Sequence, residues 1–138
     1  MSNNDAMIAQ LKEQAFAAAK IVKIGGYTAS ELGTKHMLLG GNGNYFSNEV
    51  LKPFVDALFT GDTAAIGSAM QLLTEQTRNI MGAHKDPDRG IVLFGQLSKE
   101  EQKATSIIAS RYVEQVERVV KTYIARMPGT GVAIISSK

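Results

Sequence analysis

Ser98-Lys-Glu-Glu-Gln-Lys-Ala-Thr-Ser-Ile-Ile-Ala-Ser-Arg-Tyr-Val-Glu-Gln-Val-Glu-Arg-Val-Val-Lys-Thr-Tyr-Ile-Ala-Arg-Met127 reads as one unbroken amphipathic helix. Ser98 and Glu101 have the spacing of a capping box, in which hydroxyl and carboxylate satisfy orphan backbone donors at a helix start, and Pro128-Gly129 closes the run. On a helical wheel Ile108, Ala109, Tyr112, Val113, Val116, Val119, Val120, Tyr123, Ile124 and Met127 share an arc of about 160°. That is wider than a two-stranded seam, so the helix should touch at least two others. A subset, Ala109, Val113, Val116, Val120, Tyr123 and Met127, keeps heptad spacing. Thirty helical residues would reach about 45 Å, against a radius of gyration of roughly 14 Å for a compact chain of this length. The expectation is that the heptad subset joins a second copy in a homo-oligomer. The alternative is that the arc is the core helix of a monomer. On the polar face Glu114 with Arg118 and Glu117 with Lys121 stand in the favourable i, i+4 order.

Outward from this helix the pattern is helical throughout. Asn4 to Lys23 carries Met7, Ile8, Leu11, Ala15, Ala18, Ala19 and Val22 on one face, and Gly25-Gly26 ends it. Thr28 and Glu31 repeat the capping box and open a short helix to about Leu39. Gly40-Gly-Asn-Gly-Asn44 breaks regular structure. Phe46 to Thr60 is helical in spacing, with Pro53 expected to kink it or mark its start. Asp62 is an N-cap for Thr63 to Met81, with Ile66, Met70, Leu73, Thr77 and Ile80 as its core stripe and Gly67 predicting a tight crossing. Residues 82–97 are the least regular. The fold expected is mainly α, a single domain over 1–138: a helical bundle of about five helices with a long C-terminal one. Ile91–Phe94 and Val132–Ile135 are β-prone and could form a minor two-strand element, with the tail 128–138 strand-forming or exchanged between subunits.

Composition fits an ordinary folded chain: 44% hydrophobic, 20% charged and no cysteine, which excludes a disulfide framework and any thiolate chemistry. The apolar runs are four or five residues long, so no membrane segment is expected. A reducing interior, the cytoplasm, or a virion if the chain is phage-encoded, is the default compartment. The net charge of +2 is skewed, because residues 103–138 carry six cations against Glu114 and Glu117. Such a skew suits head-to-tail association or an acidic partner and falls short of the basic stripe of a DNA binder.

Chemistry-bearing constellations are sparse. Gly41, Gly43 and Asn44 lie before a helix, where free amides can cradle a phosphate, and Tyr45 and Phe46 beside them could stack on a base while Lys85 and Arg89 met an anion. The loop has no preceding strand and no Gly-Lys-Ser/Thr ending. His84, Asp86 and Asp88 alternate in one turn, but Lys85 and Arg89 oppose a cation there, and no metal site or cofactor is expected. His36 near a helix end complements the helix dipole rather than serving catalysis. The leading reading is a non-enzymatic, self-associating helical binding or adaptor protein acting through a surface, of the type of small phage-encoded assembly or host-interference proteins, with a protein partner as a further option. The alternative is a nucleotide or single-stranded nucleic-acid binder using the glycine loop and its neighbours.

Overall fold

Two capping boxes and one aspartate set where the helices begin. In the computed structural model, which describes residues 3–35, 43–85 and 97–127, the Ser98 N–H donates to the Glu101 carboxylate (3.0 Å) while the Glu101 N–H donates back to the Ser98 hydroxyl (3.1 Å). The same reciprocal pair joins Thr28 and Glu31. Asp62 Oδ1 accepts from the Ala64 and Ala65 amides. The helices that follow are α1 (Asn3–Lys20), α2 (Ala29–Lys35), α3 (Lys52–Thr60), α4 (Thr63–Lys85) and α5 (Lys99–Ile124). The protein is mainly helical, and no strand occurs among the described residues beyond an isolated antiparallel bridge between Ile24 and Tyr27. The β-prone runs 91–94 and 132–135 and the tail 128–138 lie outside the described residues.

Pro53 acts differently from a simple kink. Phe46–Leu51 forms a π-helical turn that runs straight into α3, and Pro53 stands at the second position of that helix. A proline there has no N–H to give the carbonyl four residues back, and its ring crowds that carbonyl. The wider π turn upstream shifts the hydrogen-bond register, so the segment continues without a break. Gly61, left-handed at φ +75°, then reverses the chain into α4.

Side-chain neighbours fix the directions. Lys52 lies over the Phe16 ring, and Lys52 and Asp56 share a depression with Ala9, Lys12 and Phe16, so α3 packs beside α1. Gly25 and Gly26 border Ile108 and Arg111, and Val22 borders Arg118 and Val119, so α1 also runs against α5. A Cβ on Gly25 would stand 2.9 Å from Met81 Cε and 3.3 Å from Ile108 Cγ2, so side chains of α4 and α5 both reach this turn. The two helices α4 and α5 pack against each other. The core joins Leu11, Ala15 and Ala19 of α1, Leu32 of α2, Phe46 to Phe59, Leu73 and Ile80 of α4, and Tyr112 to Val120 of α5. Phe46 and Tyr112 hold their rings 6.2 Å apart. Thr77 and Thr105, buried in the core, return their hydroxyls to the helix backbone at Leu73 and Gln102.

Gly67 departs from expectation. It is exposed, and a Cβ there would meet nothing within 4 Å. Among the described residues nothing packs on α4 at that point; the glycine in close approach to other helices is Gly25 instead.

Candidate functional site

The helix α5 is covered along most of its length by its own chain. Ala109, Val113, Val116 and Val120 are buried against α1, α3 and α4. Tyr123 and Met127 are half-buried. Of the six heptad positions, four thus have their surface taken by intramolecular packing, and two stand where that packing runs out.

The reason lies in α4. From Thr63 to Leu72 no residue is buried. Ile66, Ala69 and Met70 touch the core while staying half open, and Leu72 is exposed. This first half of α4 has no charged residue from Thr63 to Thr74. Ile66 and Met70 of α4, like Tyr123, Ile124 and Met127 at and after the end of α5, are partly buried apolar residues at the margin of the core. Arg126 there lies over the Tyr123 ring at 4.7 Å, which ties the cation to the face rather than projecting it outward.

Of the glycine loop, only Gly43 and Asn44 fall among the described residues. Gly43, at φ +88°, packs so tightly on the first turn of α2 that a Cβ would stand 2.6 Å from the Ala29 carbonyl oxygen. Its glycine serves this close backbone approach, and its carbonyl accepts from the Ser47 N–H. Asn44 and Tyr45 are exposed, Tyr45 at 53%, whereas Phe46 is 1% exposed in the core. The two aromatics therefore point apart and make no shared stacking platform. Lys85 ends α4, while Gly41 and Arg89 lie outside the described residues, as do His36, Asp86 and Asp88. Among the described residues no three histidine, aspartate or glutamate side chains gather as a metal site. No helix among them is long and apolar enough to cross a membrane.

Burial raises the Tyr112 phenol far above its ordinary range. It sits against Phe46 as a core residue.

What the sequence reading missed is a groove beside the Gly25-Gly26 turn lined by Lys23, Arg111 and Arg118. Its signal was the positive skew of residues 103–138. The i, i+4 pairing of Glu114 with Arg118 drew that arginine into a different account. The Glu117–Lys121 pair does form, at 3.1 Å. Comparison of the chain with protein-family models, with curated proteins and with solved structures returned no match.

Proposed function

We propose that this protein is a non-enzymatic helical bundle that self-associates and acts through its surface as a binding or assembly component. The observation that carries the reading is the set of half-covered apolar residues at the margin of the core, Ile66 and Met70 of α4 with Tyr123 and Met127 at and after the end of α5. The occupant proposed for it is a second copy of the chain. A symmetric pair brings each patch against its own twin, so any charge in the patch would meet a like charge. The first half of α4 has none, and Arg126 of the α5 end lies over its own Tyr123 ring. The heptad residues buried in the core serve this contact indirectly, by holding α5 rigid up to Val120.

Light scattering at micromolar concentration tests the reading. The expected mass is a multiple of 14.9 kDa, and Ile66→Asp with Met70→Asp should return the single-chain mass while the far-ultraviolet helical signal stays intact. A wild-type monomer at that concentration overturns self-association. So does a dimer indifferent to both substitutions, since it would have to use another face. A nucleotide-binding role draws less support, because Phe46 is consumed by the core and the Gly43 backbone by α2.

A further inference from the structure

Two adjoining depressions run along α5 on the side where α1 turns toward α2. One, of about 220 Å³, is walled by Gly25, Gly26, Ile108 and Arg111; the other, of about 390 Å³, by Val22, Arg118 and Val119. Lys23 and Gln115 line both, so they form one continuous groove. Its polar residues, Lys23, Arg111, Gln115 and Arg118, are exposed, while Val22, Ile108 and Val119 are half-buried and supply an apolar floor. No carboxylate lines either depression. Among the described residues none of the three cations is held in an ion pair. Arg118 also borders the neighbouring hollow of Glu114, Glu117 and Lys121, where Glu117 is already bonded to Lys121.

We propose that this groove docks an acidic amphipathic helix of a partner protein. Arg111 and Arg118 are seven residues apart, two helical turns or about 10.5 Å, on one face of α5. A partner helix repeats its own face at the same interval, so carboxylates seven residues apart reach both arginines while an apolar residue between them meets Val22 and Val119. Lys23 and Gln115 lie midway along the groove and close its polar rim. The chemistry favours a peptide over nucleic acid: single-strand binding needs aromatic faces for the bases, and the aromatic in this wall, Tyr112, is buried. It favours a peptide over a lone phosphate because the cations are spread along a trough rather than converging on a point. Gly26 leaves the turn open, since a Cβ there would meet nothing within 4 Å. The groove uses none of the residues of the self-association face, so the two proposals stand or fall separately.

The test is fluorescence anisotropy of a labelled synthetic helix with glutamates seven residues apart and leucines between them, titrated with the full chain. Its comparators are a scrambled peptide of equal composition and a short oligothymidylate. The acidic helix should bind more tightly than either, with affinity that falls as salt rises. Arg111→Gln and Arg118→Gln should each weaken it roughly two- to fivefold, the range of one exposed ion pair, and more in combination. Lys103→Gln, off the groove on the same helix, should leave it unchanged. Equal binding of the scrambled peptide, tighter binding of the oligonucleotide, or indifference to both arginine substitutions would each overturn the proposal.

Discussion

The two halves of α4 carry the same apolar spacing and meet different fates. From Leu73 onward the stripe is closed: Leu73, Thr77, Ile80 and Met81 are all buried. Before it, Ile66, Ala69 and Met70 continue that stripe at half burial, and nothing from Thr63 to Leu72 is fully covered. As a whole, α4 packs against α3, the π turn and α5. The difference is at the rim. The Ile24–Tyr27 turn and Leu32 of α2 join the core, and Gly25 of that turn lies close to Met81 in the closed half of α4. Periodicity therefore reports which face of a helix is apolar, while the depth to which that face is buried depends on elements remote in sequence.

Charge substitution breaks this contrast most severely. Val116 of α5, like Leu73 of α4, is fully buried. Val116→Glu would place a carboxylate among apolar side chains with no cation beside it, a cost of several kcal/mol, comparable with the whole stability of a small domain. The expected outcome is loss of the helical signal and of any cooperative thermal transition. Met70→Glu, on the open half of α4, should leave both in place. If Val116→Glu instead stays folded and only loses self-association, the core described here is wrong at its centre.

Truncation sharpens the same contrast at lower cost. Leu73→Ala removes a fully buried side chain and should destabilise by about 2–5 kcal/mol in urea titration. Met70→Ala removes one that is half solvated in the single chain, so its effect should stay near or below about 1.5 kcal/mol. A larger loss for Met70 that depends on protein concentration would show that self-association, rather than folding, covers it.

Much of the scaffold was legible because its signals are local. Each of the three expected N-caps, at Thr28, Asp62 and Ser98, forms the bonds its residue types prescribe. The length and apolar arc of α5 follow from spacing alone. The π turn before Pro53 was not legible, because a proline announces a missing donor without saying how the chain accommodates it. Gly67 and Gly25 exchanged roles for a related reason: a glycine is compatible with a close approach, and only the partner's position shows whether one exists. The same limit governed the candidate site. Heptad spacing picked out Val116 and Val120 together with Tyr123 and Met127, and it could not reveal that α1 and α4 cover the first pair fully and the second pair in part. The groove at Lys23, Arg111 and Arg118 joins residues nearly ninety apart in the chain, so only the fold assembles it.

The glycines offer a paired measurement with opposite signs. Gly43→Ala would drive a Cβ into the Ala29 carbonyl from a backbone at φ +88°, and should cost about 1–3 kcal/mol. Gly67→Ala places the methyl in open space on a helix interior, and should stabilise by up to about 1 kcal/mol. Both are read from the midpoint of chemical unfolding. A destabilising Gly67→Ala would mean that something packs against the open half of α4 after all.

The smallest effect at neutral pH is expected at Tyr112, where the closed region leaves a titration signature. Burial raises its phenol well above the ordinary value of 10.0, so the folded state resists ionisation that the unfolded chain undergoes freely. The unfolded state then holds fewer protons than the folded one above pH 10, and stability falls as pH rises. Below pH 10 the contribution is fully present. Tyr112→Phe has nothing to ionise, so its stability should track the wild type within about 1 kcal/mol at neutral pH and decline less steeply above pH 10. The difference between the two should grow by up to about 1.4 kcal/mol per pH unit. Parallel curves through that range would mean that solvent reaches the phenol, and that the closed end of the molecule is as open as the half of α4 it has been set against.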